Sequence, residues 1–120
     1  MIIVDTSIWV DHLRRTNSLL VELLLSGKVL GHSLVIGELA CGFLKNRNEI
    51  IGLLESLPQA ETVEHDEVLF FIEKNKLFGK GIGLIDIHLL ASAVLEGVTL
   101  WTADKKLNDV AAKMKILYKP

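Results

Sequence analysis

The stretch Met1-Ile2-Ile3-Val4-Asp5-Thr6-Ser7 decides how the rest of the chain is read. Ile2, Ile3 and Val4 form a continuous β-branched run, the signature of a strand buried on both faces as in a parallel sheet. The run stops at Asp5, and Thr6 and Ser7 offer N-cap oxygens for a helix through about Arg15. In open α/β sheets ligands bind beyond the carboxyl ends of the strands, so an acid directly after such a strand draws attention first.

Working outward, Thr16-Asn17-Ser18 restarts a helix through about Ser26, with Gly27 as its C-cap. Val29 to His32 reads as a second strand, and Ser33 as the N-cap of a helix to about Leu44, broken by Asn46-Arg47-Asn48. A helix fits Glu49 to Ser56, Pro58 ends it, and Glu61-Thr62-Val63 reads as a weak edge strand. His65-Asp66 opens a helix to near Leu77 whose Val68, Leu69, Phe71 and Ile72 face inward. After the Gly79–Gly83 loop, a nearly all-apolar helix runs from Leu84 to Glu96 and is closed by Gly97. Val98 to Thr102 is the clearest later strand, Asp104 begins another helix, and Lys115 to Tyr118 makes a final strand. Short apolar strands alternating with helices give an α/β chain with a parallel sheet covered on both faces.

The 120 residues suffice for one domain, 1–120, with no room for a second. Half the residues are apolar and the mean hydropathy is +0.40, which excludes a disordered or collagenous chain. Thirteen basic against 15 acidic residues give a formal net charge of -2, which argues against a basic coat that binds nucleic acid regardless of sequence. Cys41 is the only cysteine, so no intrachain disulfide or cysteine-based zinc site can form. The N-terminus lacks the basic flank of a signal peptide, and no apolar run approaches the ~20 residues of a membrane span. The expectation is a soluble, cytoplasmic protein with no membrane partner.

Four carboxylates stand in informative places. Asp5 terminates the first strand and Asp104 follows the fourth by two residues, although an acid at such a junction is often simply an N-cap. Glu38 is the only charged residue between Ser33 and Leu44; without a partner or solvent, its ionised form would cost several kcal/mol to bury. Asp86 lies in the first turn of an otherwise apolar helix, where the helix dipole alone favours a negative charge. A parallel fold brings strand ends together, so the four can line one cleft. At ~5 Å and an effective dielectric of ~20 each like-charge pair costs roughly 3 kcal/mol, so the cluster requires cations. Oxygen-only ligands select hard ions, Mg²⁺ or Mn²⁺, whose chemistry is that of a metal-dependent nuclease.

These residues also carry a family likeness. Val4-Asp5-Thr6-Ser7, Glu38-Leu39-Ala40-Cys41-Gly42, Gly83-Leu84-Ile85-Asp86 with Leu89-Leu90-Ala91-Ser92-Ala93, and Thr102-Ala103-Asp104 follow one another at suitable separations over nearly the whole chain. In this the sequence resembles PIN-domain proteins, and more closely the VapC-type ribonuclease toxins of toxin–antitoxin pairs. The resemblance implies a three-layer α/β/α sandwich with a central parallel sheet and a Mg²⁺- or Mn²⁺-dependent endoribonuclease. It gives Asp5, Glu38, Asp86 and Asp104 the catalytic metal positions. Thr6, Ser7 and Thr102 take the positions of hydroxyls that orient carboxylates or water. Arg14, Lys80, Lys105 and Lys106 flank the cleft as candidate RNA contacts. The implied partners are an RNA substrate, tRNA or another structured RNA among the options, a VapB-type antitoxin and a second copy in a homodimer. The family often has an aromatic residue and a further acid after the last Asp; here Lys105-Lys106-Leu107 follows, and Asp109 stands five residues on, without an assigned role.

The remaining features read more plainly. His12, His32, His65 and His88 lack zinc-ligand spacing, Cys41 reads as a core thiol, and the glycine loop as a connection. Trp9 with Ile8, Leu13, Leu19, Leu20 and Leu23 to Leu25 gives the first two helices more apolar surface than one core face needs, which implies an interface, in such toxins the antitoxin groove. A haloacid-dehalogenase-type phosphatase needs a second Asp where Ser7 stands, and a receiver domain needs an acidic pair this chain lacks. A catalytically inactive PIN-like module that binds RNA or protein remains the alternative, and the presence of all four acids argues against it. Setting those four aside leaves 11 acids against 13 bases, so a mildly acidic protein can still present a cationic rim to RNA.

Overall fold

The computed structural model describes residues 1–120. β1 (Ile2–Val4) lies between β2 (Val29–Leu30) and β3 (Thr99–Trp101), all parallel, in the order β2-β1-β3. Ile2 pairs with Val29 on one side and Thr99 on the other, and Val4 pairs with Trp101. All three β1 side chains are buried. Successive strand residues point to opposite faces, so both faces of the sheet are covered, as the uninterrupted Ile2–Val4 run requires.

α1 (Thr6–Arg14) and α2 (Ser18–Leu25) connect β1 to β2. α3 (Ser33–Cys41), α4 (Arg47–Ser56), α5 (His65–Asn75) and α6 (Leu84–Glu96) lie between β2 and β3, and α7 (Lys105–Lys113) follows β3. Helices over both faces of a parallel sheet make the α/β sandwich that the strand–helix alternation predicts. The core holds Ile3, Leu20, Leu89, Leu90, Leu100 and Leu107 with no exposure. α6 buries Leu89 through Ala93 without interruption, which explains why it is apolar all round rather than striped. Truncating Leu89 or Leu90 to alanine there would cost about 2–5 kcal/mol. No helix is long and apolar enough to cross a membrane.

The sequence and the structure part at the sheet edges and at several helix ends. Glu61–Val63 forms no strand; pairing beside β2 shrinks to one bridge between Gly31 and Gln59, flanked by Gly31 N–H to Pro58 O and Ala60 N–H to Gly31 O, both 2.8 Å. Glu61 and Thr62 are exposed and have no face to bury. The final strand likewise reduces to a bridge between Leu100 and Leu117, after Lys115 turns the chain at φ 61°. α3 stops at Cys41, three residues early, because Gly42 is extended and the following residues are mostly exposed. Asn46 adopts the left-handed conformation and α4 starts at Arg47, so the break runs from Gly42 to Asn46 rather than over Asn46-Arg47-Asn48. Leu69 is 51% exposed rather than inward, and Cys41 is exposed rather than in the core.

From β1 the chain pairs to β2 on one side and to β3 on the other, so the topological switch lies at the carboxyl end of β1, where Asp5 stands. The Asp5 N–H donates to Trp101 O at 2.9 Å, carrying the ladder one residue past β1 and setting Asp5 beside Thr102.

Candidate functional site

Asp5 is 5% exposed, and its carboxylate is met by two hydroxyls. Thr102 Oγ1 donates to Asp5 Oδ2 at 2.7 Å and Ser7 Oγ donates to the same oxygen at 2.8 Å. With its one proton directed to Asp5, each hydroxyl has lone pairs left to accept: Ser7 Oγ from the Ala103 N–H and Thr102 Oγ1 from the Asp104 N–H, both at 3.0 Å. This clasp ties the end of β1 to the end of β3. It also explains why Thr6 and Ser7 are not helix caps, as their position suggests; Asp5 occupies the N-cap of α1 without a side-chain cap bond.

Thr6 instead donates to Glu38 Oε1 at 2.6 Å, joining α1 to α3. Glu38 is exposed, so of the outcomes its apolar neighbours allow (solvent, a neutral carboxyl or a cation) it takes the first. Asp86 is half-buried at the start of α6 and its Oδ2 accepts the Gly83 N–H at 3.0 Å. Asp104 is exposed and caps α7, its Oδ1 accepting the Leu107 N–H at 2.9 Å.

One pattern runs through the four acids. Each commits one oxygen to the protein and has none of these bonds on the other: Asp5 Oδ1, Glu38 Oε2, Asp86 Oδ1 and Asp104 Oδ2. The Asp86 carboxyl is raised above the usual carboxylate range, first by burial, then by the fields of Asp5, Asp104 and Glu38, while the Gly83 N–H opposes the rise. The four therefore share one electrostatic neighbourhood, in which a like charge is felt from three directions.

Behind the acids a histidine links two of the helices that carry them. His32, 2% exposed, caps α3 by accepting the Leu34 N–H on Nδ1 at 3.1 Å, so its proton sits on Nε2, which donates to Ser92 Oγ of α6 at 2.9 Å. Local sequence assigns the cap to Ser33 and does not show this tie; its only signal is a histidine directly between a strand and a helix. Burial, with the nearby His88 adding to it, lowers the His32 pKa to about 4, so the ring is neutral at pH 7.

The predicted RNA contacts divide. Arg14 shares with Thr6, Glu38 and Lys45 the wall of a depression of about 540 Å³. Lys106 lies across the backbone of Gly81, and Lys80 lines the same side of the molecule. Lys105 is exposed in the first turn of α7.

The PIN-domain family model matches residues 2–113. This chain belongs to the PIN-domain family. It is also 46% identical over 114 residues to ribonuclease VapC32 of Mycobacterium tuberculosis, in both the CDC 1551 / Oshkosh and the ATCC 25618 / H37Rv strains, covering 94% of this chain and 92% of each relative. The likeness is thus to a VapC-type PIN protein along nearly its full length.

PIN-domain ribonucleases generally depend on a divalent metal, and the donor chemistry here can be tested against that requirement. No three Asp, Glu, His or Cys donors stand close enough together to enclose one ion unaided. A small hard ion such as Mg²⁺ does not need such a cage: it keeps several waters and takes one or two carboxylates together with phosphate oxygens. Four carboxylates, each with one oxygen already fixed and one free, fit that mode of binding.

Proposed function

We propose that the protein is a Mg²⁺- or Mn²⁺-dependent endoribonuclease and the toxin of a toxin–antitoxin pair, with Asp5, Glu38, Asp86 and Asp104 as its metal-holding acids. The observation that carries this reading is that Asp5, Glu38 and Asp104 all act on Asp86 through their fields, while each of the four keeps one oxygen free of protein bonds. A divalent ion held there supplies neutralisation of the acids, polarisation of a scissile phosphate and activation of a water. The chain's own groups do the rest. Thr102 and Ser7 hold Asp5, and Thr6 holds Glu38, each by one oxygen, which leaves the other oxygen of each carboxylate for a ligand. The Gly83 N–H and the first turn of α7 hold Asp86 and Asp104 by their other oxygens. Arg14 lines one depression with Glu38, and Lys106 follows Asp104 by two residues, so each puts a cation near an acid where a phosphodiester backbone requires one.

The relatives' name, ribonuclease VapC32, supports RNA as the substrate and a VapB-type antitoxin as the partner. A groove of about 280 Å³ lined by Trp9 and Leu13 of α1, Leu24 of α2 and Ile50 and Leu53 of α4 suits an antitoxin helix. Its walls are only partly those expected: Trp9, Ile8 and Leu20 are buried, and α4 contributes the rest. The exposed Phe70, Val94 and Leu95 of α5 and α6 suit a homodimer face.

The test is incubation of single-stranded RNA and tRNA with the protein, with Mg²⁺ or Mn²⁺ and with chelator, beside Asp5→Asn. Cleavage that needs the metal and is abolished in Asp5→Asn is expected. Equal cleavage by the two proteins in chelator would refute the reading.

A further inference from the structure

A second basic feature lies beyond the acids. Between the end of α5, the Gly79–Gly83 loop and α7 is a depression of about 260 Å³, lined by Lys76, Lys80, Lys106 and Lys113 against a single acid, Asp109. Four lysines against one acid leave the wall of this concavity net positive, which favours an anion.

Two local features run against the ordinary preferences of the chain, both at residues that line this concavity, and a glycine makes room for one of them. Lys76 closes α5 in the left-handed conformation, φ 52°, where glycine or asparagine is the usual choice. Lys106 sits in the first turn of α7, where the helix dipole disfavours a cation. Gly81, at φ +76°, is the residue over which Lys106 lies: a Cβ built there would stand 2.8 Å from Lys106 Cδ and 2.9 Å from its Nζ. Local rules broken together at one place mark a functional site more than a structural one.

The concavity is also joined to the acidic cleft. Lys106 follows Asp104 by two residues, which keeps their Cα atoms within about 7.6 Å. Gly81 precedes by two residues the glycine whose N–H holds Asp86.

We propose that this four-lysine depression is a phosphate-binding subsite that takes a backbone phosphate of the RNA strand lying across the acidic cleft. The proposal rests on the ribonuclease reading. It adds Lys76 and Lys113 to the candidate RNA contacts Lys80 and Lys106, and it gives the strand a direction of exit, over α7.

The experiment measures binding of a labelled single-stranded RNA to full-length protein in the non-cleaving Asp5→Asn background, with Mg²⁺, over a series of salt concentrations. Lys76→Gln with Lys113→Gln is compared with Lys28→Gln, a lysine directly before β2 that does not line the depression. The subsite pair is expected to weaken binding about three- to tenfold near 0.1 M salt and to flatten the log–log salt dependence by about 0.7 for each phosphate no longer neutralised. The control is expected to do neither. RNA affinity and salt slope that are the same in the subsite pair and the control would overturn the subsite, as would a drop in affinity with an unchanged slope. Metal-dependent cleavage by the otherwise wild-type protein, measured in parallel, tests the ribonuclease reading separately.

Discussion

Replacing Thr102 by valine removes one hydroxyl and almost no volume, which makes it the sharpest probe of the clasp beneath the site. Thr102 is 5% exposed, donates to Asp5 Oδ2 at 2.7 Å and accepts the Asp104 N–H at 3.0 Å. A hydrogen bond to a charged group contributes about 1.5–3 kcal/mol. The Ser7 hydroxyl still reaches the same Asp5 oxygen, so that oxygen is not orphaned. Asp104 is exposed, so water replaces the acceptor that its N–H loses. The expected loss is therefore about 2 kcal/mol. With about 2.1 cal/mol/K of unfolding entropy per residue, a chain of this length melts about 4 °C lower per kcal/mol, so Tm should fall by about 8 °C. Calorimetry at pH 7 in chelator reads this directly, and Thr102→Ser should recover at least half. The metal concentration for half-maximal cleavage should also rise, by about tenfold or more, as for other residues that orient a ligand. A valine variant melting within about 2 °C of wild type, or a serine variant falling as far as valine, would refute the reasoning.

Asp86→Asn keeps an acceptor for the Gly83 N–H and removes a charge that burial and three acids disfavour. Because the folded carboxyl holds its proton to higher pH than the unfolded one, ionised Asp86 lowers stability as pH rises through the folded value; at pH 7 in chelator the variant should melt at or above wild type while losing at least about a hundredfold in cleavage. His32 shows the opposite sign: between pH 6.5 and about 4 the unfolded chain binds a proton that the folded histidine refuses, so stability falls with acid over that window. Melting at pH 7 and pH 5 should show a larger drop for wild type than for His32→Asn, and parallel drops would contradict the buried neutral ring. Gly81→Ala meets both a left-handed φ and the Lys106 side chain, and should destabilise by about 1 kcal/mol or more, a Tm fall of at least about 4 °C.

What was legible in the sequence was whatever short-range chemistry determines. Ile2–Val4 reads as a doubly buried strand because three β-branched residues in a row leave no wet face, and α6 reads to the residue because Gly83 and Gly97 bound it. The four acids stood out because charge is conspicuous among apolar neighbours. What was not legible depends on partners distant along the chain. Whether Glu61–Val63 and Lys115–Tyr118 become strands is decided at the sheet edges, where each pairs through one bridge only. Thr6 and Ser7 look like caps locally, yet their hydroxyls are drawn to Glu38 and Asp5. Cys41 lies among apolar residues in sequence, but it ends α3 and faces outward.

The sheet order bears on when this protein can become active. Asp5 is synthesised 97 positions ahead of the Thr102 hydroxyl that anchors it, and the central strand lacks one of its two neighbours until residues 99–101 exist. A chain not yet extended to residue 99 thus carries Asp5, Glu38 and Asp86 without Asp104 and without the frame that gathers them. Competence therefore waits for residues 99–104, and the preceding interval of synthesis is free of the activity.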